Sequence, residues 1–187
     1  SVFLNYGRCY HDARDNYVYV YSPNGDSAYE PADGMVLLRV HRDDLMNRSS
    51  YRYYAGMNSD NSNHPLWATK VAQKREVFSF PGECLRLSVS YHPKLNRYLL
   101  WQQLPSSSGS PPDTRFEGGF AIYEAPEPWG PWATVFLTPD WDVGPGETAS
   151  IPAKWIDKNS MKFYLVFSGD DALSIRRGEF IPAGFLK

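Results

Sequence analysis

An all-β fold of repeated units, a β-propeller with blades of four antiparallel strands, is what this sequence predicts, and three observations predict it. The phrase GECLRLSVSY at 82–91 returns as GETASIPAKW at 146–155. In each copy a Gly-Glu pair leads at one spacing to a large aromatic, Tyr91 or Trp155, and then through a polar turn into a second apolar strand, YLLW from Tyr98 or FYLVF from Phe163. Tyr10-His11 and Tyr17 stand to each other as Tyr91-His92 and Tyr98 do, so a third copy opens the chain, with Val2 in the place of Glu83. Strand signals fill the remainder: YVYVY from Tyr17, MVLLRV from Met35, YRYY from Tyr51, FAIYE from Phe120 and ATVFL from Ala133 are β-branched or aromatic and bounded by turn residues. The one helical pattern, HRDDLMNRSS at 41–50, is long enough only for a connecting turn capped by Asp43 or Asp44. An internal repeat with this strand content marks radially arranged β-structure, in which each unit buries its faces against its neighbours.

Taken in order, the first unit (1–81) has predicted strands near 2–10, 17–22, 34–41 and 51–55. The second (82–145) has them near 84–91, 97–103, 118–124 and 132–137. The third (146–187) is incomplete, with strands near 148–155, 162–168 and 172–180, and the three units form one partial propeller domain over 1–187. Tyr19, Leu37, Leu87, Val89, Leu99, Ile122, Ile151, Leu165 and Phe167 are the expected core between blades. NSDNSN at 58–63 and PSSSGSPPD at 105–113 are too polar to offset ordering entropy and read as loop tips beside a binding face. In the repeat register Cys9 and Cys84 fall near opposite ends of their strands, beyond the roughly 7 Å that a disulfide spans, so both are expected as free thiols.

Composition excludes several partners. Nineteen basic residues against twenty-one acidic ones, with no basic stripe, lack the electrostatic footprint of a nucleic-acid binder. Apolar runs such as FYLVF are far short of a membrane span, and no leader pattern precedes Ser1, so neither nucleic acid nor membrane is an expected partner. Thirteen Tyr, ten Phe and six Trp are the outlier; they serve sheet packing and, at exposed positions, can stack on sugar rings.

The stretches GECLRLSVSYHPKLNRYLLW (82–101), GGFAIYEAPEPWGPWATVFL (118–137) and VLLRVHRDDLMNRSSYRYYAG (36–56) resemble the five-bladed β-propellers of the arabinanase and fructosidase type, most closely a branch that includes endo-D-arabinanases. The resemblance implies a five-bladed propeller of which this chain supplies three blades, a polysaccharide or oligosaccharide partner, and an extracellular or periplasmic location. With two blade faces uncovered, either assembly with another copy or missing blades from a longer chain is expected.

Within such a fold the repeated strand is innermost, and Glu83 and Glu147 face one mouth of the central channel on adjacent blades. Paired carboxylates of this kind carry out glycoside hydrolysis, one donating a proton to the leaving oxygen and the other activating water or attacking the sugar. The alternative is architectural, each Glu accepting backbone N–H groups or pairing with Arg86. Asn5, Arg86 and Ser150 share the next polar position of the repeat and are expected as a ring of substrate-binding donors or as an interblade network. Trp141, flanked by Asp140 and Asp142, is a candidate sugar platform at the same mouth, and Asp170-Asp171 caps a strand towards the opposite rim. Trp129 and Trp132 are read as structural, and His11 and His92 as equivalent turn residues at the far end of the inner strands. No Cys/His set has metal-ligand spacing, NSDNSN lacks the distal Glu of a calcium loop, and no phosphate or dinucleotide fingerprint occurs, so no metal or cofactor is expected. The reading is a carbohydrate-active protein, a glycoside hydrolase-like propeller or a fragment of one, with a non-catalytic lectin-like propeller or a protein-interaction platform as alternatives.

Overall fold

The computed structural model describes residues 1–27, 29–60, 64–106 and 115–182. Asn61, Ser62 and Asn63 of the first predicted loop, and most of the second, lie outside the described residues. The chain is all-β and builds a partial propeller. In the first blade, β1 (Val2–Asn5), β2 (Tyr17–Pro23), β3 (Ala32–His41) and β4 (Arg52–Met57) follow one another antiparallel, with β5 (Pro65–Ala68) added beyond β4. Strand β6 (Glu76–Cys84) shares the outer edge of β3 with β4. It takes the Ala32 half, leaving Leu38 and Arg39 to β4. The second blade is β7 (Leu87–His92), β8 (Arg97–Leu104), β9 (Gly119–Ala125) and β10 (Ala133–Thr138); the third is β11 (Ala149–Ser150), β12 (Lys162–Phe167) and β13 (Ser174–Glu179). The inner strands β1 and β7 pair in parallel, joining two blades into one curled sheet.

Blade two is the middle layer, and its second strand shows why a continuous apolar run can be a strand. Successive side chains of a strand point to opposite faces. Tyr98, Leu100 and Leu104 enter the core shared with blade one, where they meet Leu4, Tyr6, Tyr21 and Leu37, whereas Leu99 and Trp101 enter the core shared with blade three, beside Ile151, Leu165 and Phe167. With both faces covered, YLLW has no reason to alternate. Each predicted core residue is buried. The aromatic excess is spent largely here: Tyr6 packs on Tyr91 and Tyr98, and Trp129 and Trp132 of the PWGPW segment pack on Trp67 and Tyr21, whose hydroxyl donates to the Pro128 carbonyl at 2.6 Å.

The inner strands are shorter than the repeat suggests, and the first is displaced along it. Val2 stands opposite Tyr21, and Leu87 opposite Gln102, so Val2 is the counterpart of Leu87 rather than of Glu83. Tyr6, not Tyr10, therefore matches Tyr91, and Gly7 rather than His11 matches His92. The cause is the connection after β1. Gly7, Cys9 and Tyr10 all have positive φ and coil the chain into an extra turn, with the Tyr10 hydroxyl donating back to the Leu4 carbonyl. In blade three Pro152, which has no N–H for a ladder, follows the two residues of β11, and Trp155 falls in a 3-10 turn rather than in a strand. The 41–50 segment forms two 3-10 turns, capped by His41 and Asn47 instead of Asp43 or Asp44, because those side chains accept the Asp43 and Ser49 N–H groups. Cys9 is exposed, Cys84 is buried, and both are free thiols. No helix among the described residues is long and apolar enough to cross a membrane.

His92 closes β7 with its ring fully buried against Phe180. Its Nδ1 accepts the Leu95 N–H at 3.4 Å, and burial lowers its pKa. The folded value lies below the unfolded one, so folding releases the proton. The associated stability is complete above about pH 6.5 and is lost as pH falls below it towards the folded pKa. NMR titration of the ring should show a neutral imidazole at pH values where a free histidine is half charged, and titration at or above the free value would contradict the burial.

Candidate functional site

The two Gly-Glu turns arise from one backbone requirement. Gly82 has φ 74° and Gly146 φ 77°, the left-handed region that a side chain disfavours. At Gly146 space adds to conformation, since a Cβ there would lie 2.3 Å from the Ser168 carbonyl. Gly82 and Glu83 lie at the end of β6, on the outer edge of β3, rather than at the head of an inner strand as the repeat suggests, whereas Gly146 and Glu147 form a bend just before β11; each pair is tied to a neighbour. The Gly82 N–H donates to Asp33 Oδ1 of blade one at 3.0 Å, and the Glu83 carbonyl accepts from Gln102 Nε2 at 2.6 Å. The Gly146 carbonyl accepts from Gln103 Nε2, and the Glu147 N–H donates to Ser168 Oγ at 2.8 Å. Gln102 and Gln103 are consecutive on β8, so the turns flank blade two on opposite faces at the same end of the inner strands.

Arg86 joins them. Its Nη1 donates to the Glu147 carbonyl at 2.8 Å and lies 3.6 Å from Glu147 Oε1. Its guanidinium also sits 5.5 Å from the ring centre of Tyr29, which the β2–β3 connection of blade one carries out to 80% exposure. Blades one, two and three thus contribute Tyr29, Arg86 and Glu147 to one cluster. Glu83 is half-buried, and desolvation raises its carboxyl above the ordinary glutamate value. Glu147 is the more open acid, with 57% of its side chain exposed. Tyr29 escaped the sequence reading. Its only signal was an isolated aromatic in the polar stretch NGDSAYEPADG, outside any strand pattern.

The other predicted residues stand elsewhere. Asn5 ends β1 beside Ser90, not at the level of Arg86, and its Oδ1 accepts the Gly7 N–H at 3.1 Å. Ser150 pairs with Val166 in β11, while the contact between inner strands falls to Ser90, whose hydroxyl donates to the Ile151 carbonyl at 2.6 Å. Trp141 packs on Phe120 and Phe167, with centroids 4.5 and 4.7 Å away, below the Arg176 guanidinium that pairs with Asp142 at 2.9 Å. It borders a cleft of about 1120 Å³ between blades two and three. Asp170 accepts the Gly144 N–H at 3.0 Å, so it supports the segment leading to Gly146 rather than an opposite rim.

The structure is similar to the exo-β-1,3-galactanase of Clostridium thermocellum, with a TM-score of 0.56 and 13% sequence identity, over 97% of this chain and 34% of that one. It is also similar to exo-β-1,3-galactanase variants of Phanerochaete chrysosporium bound to β-1,3-galactotriose, with a TM-score of 0.50 and 13% identity in one, covering 87% of this chain and 33% of that one. This chain therefore has the fold of a glycoside hydrolase propeller and spans about a third of the length of these structures. No protein-family model matches the chain, and no curated protein matches it.

Proposed function

We propose that the protein is carbohydrate-active and takes an oligosaccharide at the Gly-Glu mouth, with Glu83 as general acid and Glu147 as the carboxylate that activates water. The observation that carries this reading is the contrast between the two acids. Glu83 is held in a desolvated place that favours its protonated form. Glu147 is open to solvent beside the Arg86 cation. Unlike environments on two nearby carboxyls are how one site supplies both an acid and a base. The two acids approach one mouth from either side of blade two, each backbone held by a glutamine amide of β8. Tyr29 supplies an exposed ring for a sugar face.

The similarity to exo-β-1,3-galactanase structures supports β-1,3-linked galactans as the first substrates to test, followed by arabinans and fructans. Reducing-end release, with the anomer read by NMR before mutarotation, tests the reading. Release of the inverted anomer, lost in both Glu83→Gln and Glu147→Gln, is the expected result. Absence of any product from every glycan sinks the catalytic role.

A second reading, non-catalytic glycan binding, is favoured by the exposure of Glu147 and Tyr29. It predicts that Tyr29→Ala abolishes binding while both glutamine variants keep it within a few fold.

A further inference from the structure

We infer that the consecutive glutamines Gln102 and Gln103 are positioning residues that set the separation of the two Gly-Glu turns, each amide holding one turn from its own face of β8. The inference rests on the reading of Glu83 and Glu147 as a working pair. Both glutamines are fully buried in the middle of the described blades. Gln102 Nε2 donates to the Glu83 carbonyl and Gln103 Nε2 to the Gly146 carbonyl, the residue before Glu147. Neighbouring strand residues point to opposite faces, so two adjacent positions reach both turns at once and fix them relative to one rigid strand.

Packing alone does not ask for this pair. Each glutamine keeps an Oε1 that is buried without a hydrogen-bond partner, a cost that a methionine of similar volume would avoid. The matching positions in the neighbouring blades are Tyr21 and Ser22, opposite the start of β1, and Val166 and Phe167, opposite β11. Neither carries two amides. The arrangement therefore belongs to the one blade that lies between the two acidic turns. The reverse amide orientation would set Oε1 against a carbonyl oxygen, so the donor assignment follows from electrostatics.

The test follows the Glu83 carboxyl resonance through a pH titration and the Gly146 and Glu147 backbone resonances in the full chain, for the wild type, Gln102→Met and Gln103→Met. Gln102→Met should move the Glu83 midpoint down towards ordinary glutamate and leave the Gly146 and Glu147 backbone resonances in place. Gln103→Met should displace the Gly146 and Glu147 backbone resonances and leave the Glu83 midpoint unchanged. On a hydrolysed glycan each should lower kcat by about 100-fold with KM nearly constant, as displacement of a reacting group by about 1 Å does. A wild-type Glu83 curve in folded Gln102→Met together with wild-type Gly146 and Glu147 resonances in folded Gln103→Met would overturn the inference. Should a variant fail to fold, proton exchange at the two side-chain amides of the unaltered protein decides. Slow exchange supports the held turns, and exchange at the rate of a free glutamine overturns them. If the resonances respond as expected but no glycan is cleaved, the catalytic reading fails and the spacing device stands.

Discussion

Trp101→Ala should lower the stability of this protein by about 3–5 kcal/mol, the range for removing a large aromatic from a packed core. Trp101 lies on β8 at 1% exposure and faces the blade two–blade three core, stacked on Phe120 at 6.3 Å. Among the described residues blade three has three strands, and this core is its main apolar contact with the sheet of blades one and two. Loss of the indole therefore opens a cavity and loosens the attachment together. Urea unfolding followed by fluorescence and by far-ultraviolet circular dichroism measures it, and a midpoint within a few tenths molar of the wild type would refute it. Trp101→Phe should cost much less, because the buried indole Nε1 has no hydrogen-bond partner to lose.

On the proposed reading of Glu83 as general acid, Glu83→Gln should reduce hydrolysis by about 100- to 10,000-fold, the contribution of a positioned proton donor. The pH dependence carries a definite sign. Burial raises the Glu83 carboxyl, so the protonated, donating form persists above the ordinary glutamate range, and activity declines as pH rises through the folded pKa. Stability runs in the same direction with pH. A carboxyl raised on folding binds its proton more tightly in the native state, so folding is disfavoured by its ionisation, and stability is lost as pH rises through that value. Glu83→Gln removes the penalty. The variant should be inactive yet unfold at no lower temperature than the wild type at pH 7, and a lowered melting point would show that the carboxylate is architectural.

The repeat made the fold legible, because strand-forming runs separated by turn residues carry their own register through side-chain alternation. Leu99 could be assigned to a core from sequence alone, whereas Trp101, buried on the same face of β8, was not singled out. What the repeat could not reveal was the four-residue displacement of β1. Tyr10 imitates Tyr91 in sequence while Tyr6 takes its place in space, because an insertion coiled through positive φ at Gly7, Cys9 and Tyr10 leaves no trace in spacing. The Gly-Glu turns were legible as a pair, and the polar cluster around them only in part. Arg86 and Glu147 meet, but Asn5 follows the displaced strand away from them. Gln102 and Gln103 were hidden for the opposite reason: buried amides inside an apolar strand look like a lapse in hydrophobic pattern rather than a signal.

The parallel seam between β1 and β7 has a kinetic consequence. Leu4 and Asn5 find part of their hydrogen bonding on Val89 and Ser90, so β1 is completed only after the second blade's inner strand exists. The β7–β8 hairpin closes across a four-residue turn, whereas the seam must close most of two blades of chain, and such non-local pairing forms late. Pulse-labelled hydrogen exchange during refolding should accordingly protect Ser88–Tyr91 amides before those of Phe3–Asn5. Early protection of the N-terminal strand would instead mean that β2 alone suffices to hold it.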